Sequence, residues 1–177
     1  MDFVAGNRTR NLVISGLFIA VSYIGSNIRV FGTTIAFDSL PGFLASLLLG
    51  PVYGAAIGFL GHLFTALISG FPLSAPLHGV IAFSMAITML GYGLTFKSLS
   101  NKFSLKINLN LTGIVGVILN GPVSLGLSIA AMALMAGREA AFGLLVLFPA
   151  LMLGAIANVL LSIFLYIPLE RLWNKTK

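Results

Sequence analysis

The sequence predicts an all-α, polytopic membrane protein with six transmembrane helices in one domain spanning residues 1–177. Three observations lead there. First, 58% of the residues are hydrophobic and only 8% are charged, with a mean hydropathy of +1.07. Soluble domains carry about a quarter of their residues as Asp, Glu, Lys and Arg, so the 14 such groups here cannot cover a water-facing surface. Second, the apolar residues fall into long runs separated by short connectors rich in Gly, Pro and Ser. Third, the basic residues sit in those connectors, where they orient helices in a bilayer, rather than on one solvated face as nucleic-acid binding requires.

The first span runs from about Asn11 to Asn27 and the second, a short one, from about Leu40 to Leu49. Asp38-Ser39-Leu40-Pro41-Gly42 reads as an N-cap with its turn, and Gly50-Pro51 as a stop and restart. The second segment is short for the hydrocarbon core and is expected to cross only if protein surrounds it. The third span covers roughly Val52 to Ser69. Two prolines in Gly70-Phe71-Pro72-Leu73-Ser74-Ala75-Pro76 break the chain before the fourth, His78 to Phe96. The fifth covers Leu109 to Ala136 and the sixth Ala140 to Leu169.

With six crossings, Arg8, Arg10, Lys97, Lys102, Lys106, Arg171, Lys175 and Lys177 share one side, and only Arg29 and Arg138 fall on the other. The positive-inside rule then places both termini in the cytoplasm. The N-terminus lacks the cleavage pattern of a signal peptide. Twenty Gly suit a membrane bundle, because small residues let helix backbones approach.

Several function classes lose support. No Cys is present, which removes disulfides, thiolate metal sites and thiol nucleophiles. No Lys follows a Gly, so there is no phosphate-binding G-x-x-x-x-G-K-[ST] loop. The two His lack H-E-x-x-H spacing and the carboxylates are scattered, which argues against a metal or acid/base enzyme. No carboxylate sits at mid-membrane to carry a proton relay, so energy for any transport is expected from another subunit.

Uncharged polar residues remain. Asn120, Ser124 and Ser128 repeat every four residues in the fifth span, as do Gly154, Asn158 and Ser162 in the sixth and Gly54, Gly58 and His62 in the third. Each set lines one helical face. As packing groups, such residues join helices at about 0.6 kcal/mol per bond. The two Asn are harder to satisfy by packing alone, and His62 reads as structural, bonded to a neighbouring carbonyl. Arg29, Phe31, Asp38, Phe71 and His78 gather in or beside the external connectors. Arg29 and Asp38 most simply pair with each other; alternatively their loop covers a pocket floored by Asn120 and Asn158. In the first span Gly16 and Ala20 form a small-xxx-small groove, suited to internal packing or to docking of another membrane protein.

Six helices in under 200 residues, termini inside, Gly16-Leu17-Phe18-Ile19-Ala20 in the first helix, a long first external loop and Asn158 in the sixth helix together resemble a known family. The chain is similar to the substrate-binding S components of energy-coupling factor (ECF) vitamin transporters. The resemblance implies a docking site for the transmembrane coupling subunit at an A-x-x-x-A motif, whose first Ala is replaced here by Gly16. It also implies two cytoplasmic ATPases that consume ATP, with no cofactor in this chain, and an outward pocket that picks out Asp38, His78, Asn120 and Asn158. Docking is thought to topple such a subunit, and a charge-poor body suits that, since each ion at mid-membrane costs about 3 kcal/mol. The stretch Gly61-His62-Leu63-Phe64-Thr65-Ala66-Leu67-Ile68-Ser69-Gly70-Phe71-Pro72-Leu73-Ser74-Ala75-Pro76-Leu77-His78 resembles the α-ribazole branch, tied to cobalamin salvage. Pantothenate, a carboxylate, would want Arg29 or Arg138, whereas neutral α-ribazole would want Phe71, Phe31, His78, Asn120 and Asn158. A non-transporting membrane scaffold and a membrane enzyme using His62 or His78 as base are the competing classes.

Overall fold

The computed structural model describes residues 8–27 and 37–175, with side chains to residue 172. These residues are helical with short connectors, and no strand occurs among them. The elements are α1 (Arg8–Asn27), α2 (Leu40–Leu48), α3 (Pro51–Ile68), α4 (Ala75–Leu99), α5 (Leu105–Ile118), α6 (Ser124–Ala136), α7 (Arg138–Gly143) and α8 (Phe148–Lys175). A π-helical turn, Leu119–Val123, joins α5 to α6, and a 3-10 turn, Leu144–Leu147, joins α7 to α8. Six helical segments result, and four of them are long and apolar enough to cross a membrane: Pro51–Ile68, Ala75–Leu99, Leu105–Ala136 and Arg138–Leu172.

The observed ends differ from the expected ones by up to a few residues. The fourth span starts at Ala75 rather than His78 because Pro76 is tolerated in the first helical turn, where its missing N–H has no partner to lose. The fifth span starts at Leu105, four residues before Leu109, so Lys106 lies in the first turn of α5 rather than in a connector. At Gly50 the chain turns with φ 107°, and α3 restarts at Pro51, as the Gly-Pro pair predicts. Ser39 occupies the N-cap position of α2, but its hydroxyl makes no capping bond; it points to Asp38 Oδ1 at 3.3 Å instead.

Helix α2 is the centre of the bundle. It has nine residues, and all from Pro41 to Leu47 are buried. Phe43, Leu44 and Leu47 pack with Met89, Tyr92 and Phe96 of α4, Leu109 of α5, and Val159 and Tyr166 of α8. The Phe43 and Tyr92 rings meet edge to face at 4.9 Å. Segments this short are stable at membrane depth only when protein encloses them.

Glycine makes that enclosure possible. A Cβ at Gly54 of α3 would lie 2.8 Å from Ser46 Cα of α2, one at Gly58 2.7 Å from Met89 Cγ, and one at Gly61 2.9 Å from Ser22 Oγ of α1. The stripe expected on the third span is therefore the seam along which α1, α2 and α4 pack. At Ser46, the hydroxyl lies 2.9 Å from the Gly42 carbonyl and 3.0 Å from that of Met89, tying α2 to α4. Towards the end of α4, Asn108 Nδ2 donates to the Phe96 carbonyl at 2.9 Å, and Thr112 Oγ1 donates to Asn108 Oδ1 at 3.0 Å. Asn108 thus serves one of the last α4 carbonyls, which have few helical partners of their own.

Helix α1 is inverted relative to a soluble amphipathic helix. Its buried face is Asn11, Ser15, Ser22, Gly25 and Ser26, while Leu12, Val13, Leu17, Val21 and Ile24 are exposed. Phe83, Leu160 and Phe164, between 60% and 70% exposed, extend this apolar exterior around the bundle. Such a surface needs lipid or another apolar partner against it.

Gly54→Ala is expected to lower the apparent melting temperature of the detergent-purified protein by several degrees or to abolish monodisperse expression. Its methyl meets α2 backbone that cannot rotate aside, and overpacking of this kind costs about 1–3 kcal/mol. Gly16→Ala, with nothing within 4 Å of its new methyl, should leave the melting temperature unchanged in the same thermal-melting assay.

Candidate functional site

The end of the bundle that carries the α3–α4 connector assembles three of the sequence-predicted residues. Asp38 precedes α2, His62 lies on α3, and Phe71 and His78 lie in the connector and the first turns of α4. His62 Nε2 and His78 Nδ1 are 3.2 Å apart, a hydrogen bond between two imidazoles. On its other side, His62 Nδ1 is 3.8 Å from Asp38 Oδ2, an electrostatic contact rather than a hydrogen bond. The Phe71 ring leans on His78 with centroids 5.9 Å apart.

Local chain geometry sets this up. Helix α3 ends in a Schellman motif: Phe71 N–H donates to the Ala66 carbonyl at 2.9 Å and Gly70 N–H to the Leu67 carbonyl at 3.3 Å, with Gly70 at φ 72°. The motif turns Phe71 back over the α4 N-terminus. Phe71 (φ 51°) and Ser74 (φ 117°) also have positive φ, which side-chain-bearing residues rarely adopt. Strain of this kind persists only where surrounding structure holds it. Ser74 Oγ accepts from Leu77 N–H at 3.4 Å and opens α4 just ahead of His78.

The sequence reading of His62 needs correcting. Its partner is His78 rather than a backbone carbonyl, and it bridges His78 and Asp38. The signal for this was present in the i, i+4 stripe Gly54, Gly58, His62, whose first two members face the bundle interior. Missing from the sequence was the 16-residue pairing with His78, which depends on how α3 and α4 pack. His78 is 7% exposed, and its buried Nε2 has no hydrogen-bond partner among the described residues.

The His62–His78, His62–Asp38 and Phe71–His78 contacts do not involve Asn120 or Asn158, which lie on other elements. Asn120 sits in the π turn with Gly121 and Pro122. Pro122 lacks an N–H and crowds the preceding turn, and the helix widens there instead of breaking. A Cβ at Gly121 would be 2.6 Å from Met152 Sδ, so this turn packs closely on α8. Asn120 is 8% exposed, and its buried Oδ1 has no partner among the described residues. Asn158, on α8, donates through Nδ2 to the Gly154 carbonyl at 2.8 Å. Ser128 and Ser162 likewise bond to carbonyls of their own helices, and Ser162 also accepts from Tyr92 Oη across the bundle at 3.3 Å. The polar stripes thus face inward as expected, with much of their bonding spent within their own helices.

Arg29 and Phe31 lie outside the described residues, so the pairing of Arg29 with Asp38 falls there too. Gly16 and Ala20 are both exposed on α1. The alternative of internal packing for this pair is not what the bundle uses.

A family model for the ECF transporter, substrate-specific component, matches residues 10–170. The chain belongs to this family. Among solved structures it is similar to one described as "Structure and mechanism of the S component of a bacterial ECF transporter", at 20% identity over 97% of this chain and 99% of that one, with a TM-score of 0.61. At that identity the likeness is one of fold. No curated protein sequence matches the chain. The family is one of transport components of the membrane, in keeping with the apolar exterior.

Gly70→Ala tests the local geometry. With nothing within 4 Å of the new methyl, its cost is the left-handed backbone alone, about 1 kcal/mol, seen as a modest drop in melting temperature without loss of expression.

Proposed function

We propose that this S component captures α-ribazole outside a bacterial plasma membrane and delivers it inward for cobalamin salvage, acting as one domain with both termini in the cytoplasm. The observation that carries the substrate choice is electrostatic. Among the described residues, the contacts that build the outer cluster run through Asp38, His62, His78 and Phe71, none of them a fixed cation. A carboxylate vitamin such as pantothenate would meet the charge of Asp38 and need a compensating Arg. α-Ribazole is neutral: its aromatic bicycle suits the Phe71 and imidazole rings, and its ribose hydroxyls suit His78, Asn120 and Asn158.

Energy comes from elsewhere. The exposed Gly16 and Ala20, flanked by exposed Leu17 and Val21, offer a groove into which a helix of the transmembrane coupling subunit fits. Two ATPases on the cytoplasmic side of that subunit use ATP, and this chain holds no cofactor of its own. The positive-inside sorting of the cations supports this orientation.

Binding of α-ribazole should raise the melting temperature of the purified protein, since a ligand at about 100 times its Kd stabilises by about 2.7 kcal/mol. Pantothenate at the same concentration should give no shift; the reverse pattern overturns the substrate assignment. Gly16→Leu should abolish uptake in cells that carry the coupling module while leaving the α-ribazole shift intact, and unimpaired uptake removes the docking surface.

A further inference from the structure

We infer that Asp38, His62 and His78 form a proton-ordering chain that leaves His78 Nε2 as a hydrogen-bond acceptor, so that the site recognises an O–H or N–H donor on an uncharged solute. This deepens the reading of the cluster as part of the substrate site and rests on it.

Proton placement on the two rings sets what the site can accept. A neutral imidazole carries one N–H and one lone pair, and which nitrogen holds the proton follows from what the other faces. The 3.2 Å contact between His62 Nε2 and His78 Nδ1, with ring centroids 5.4 Å apart and planes at 30°, joins ring edges, where N–H groups and lone pairs lie. One of the two nitrogens must donate. If His62 donates through Nε2, its Nδ1 lone pair points at the Asp38 carboxylate 3.8 Å away, and His78 carries its proton on the buried Nε2. Lone pair against carboxylate is repulsive, and that contact separates the two arrangements, since His78 Nε2 lacks a partner among the described residues in both. If His62 holds its proton on Nδ1, that N–H faces the carboxylate, and His62 Nε2 accepts from His78 Nδ1–H. His78 Nε2 is then a lone pair. The second arrangement satisfies both contacts at once, and Asp38 selects it from a distance, through its charge.

The consequence is chemical selectivity. The free end of the chain, buried beside the Phe71 ring, is an acceptor that only a donor on the solute can satisfy. A carboxylate placed there would set anion against lone pair, with Asp38 adding negative potential behind it. A sugar hydroxyl or an amide N–H fits. Asp38 and His62 are positioning residues for His78 on this account, and His78 makes the contact.

Only two His occur in the chain, so [15N]histidine labelling reports four ring nitrogens, provided the purification tag contains no His. At neutral pH both His62 and His78 should show a protonated Nδ1 and a pyridine-type Nε2. Asp38→Asn should redistribute the His78 proton towards Nε2 and weaken α-ribazole binding about tenfold. Added α-ribazole should shift the wild-type His78 Nε2 resonance in the direction of hydrogen-bond acceptance. A protonated His78 Nε2 in the wild type overturns the proposal without recourse to any variant, as does a tautomer indifferent to Asp38→Asn. If α-ribazole raises the melting temperature yet leaves the Nε2 resonance unmoved, the acceptor role fails while the substrate assignment stands. If α-ribazole has no effect on either, the substrate assignment fails, and the ring-nitrogen spectrum of the free protein still decides the proton order.

Discussion

The approach of α3 to α2 through Gly54 and Ser46 is the contact on which the rest of the bundle depends. Between helices in lipid there is little hydrophobic gain, because acyl chains are as apolar as the side chains they replace. Cohesion must come from close contact and from interhelical bonds. Gly54, Gly58 and Gly61 permit that contact on successive turns of one helix, and α2, α4 and α1 each take up one of the gaps. Nine residues cannot cross a bilayer unaided, so α2 keeps its place only because these neighbours enclose it. Asp38 is attached directly to its first turn, and the position of the carboxylate is a result of the same packing.

Two kinds of polar group follow from this frame. One kind is satisfied: Asn108 with Phe96 and Thr112, Ser46 with Gly42 and Met89, Tyr92 with Ser162. These groups join helices or close helix ends. In the other kind an atom has no partner among the described residues, as at His78 Nε2 and Asn120 Oδ1, both buried. Leaving a buried polar atom unpaired costs about 1–3 kcal/mol. On the function proposed above, these are the atoms that would receive donors from the solute. They sit on elements under local constraint: Asn120 in the π turn around Pro122, and His78 behind a connector with Phe71 and Ser74 at positive φ.

How far the sequence led varies residue by residue. Gly50-Pro51 and the proline-rich connector before α4 were readable because Gly and Pro act through their own covalent geometry, whatever surrounds them. Inward-facing stripes were readable because helical periodicity alone decides which residues share a face. The N-cap position at Ser39 was readable, but not its missing capping bond, since that depends on where the side chain turns, and here it turns to Asp38. His62 was misjudged because its partner lies on another helix. The π turn had Pro122 as its signal, but Pro kinks, breaks or widens a helix according to the packing against it.

By itself, then, the sequence determined the solvent, the helical class and the resemblance to ECF S components, all of which depend on composition and on spacing along one chain. Only the tertiary structure decided that α2 is wholly enclosed, that Gly16 and Ala20 face outward on α1, and that Asp38, His62 and His78 form one chain of contacts. Those outcomes depend on distances between residues remote in sequence, and such distances are set by how helices pack, which no local pattern encodes. The 14 charges that first marked lipid as the solvent include one, Asp38, that the fold brings to 3.8 Å from the His62 ring.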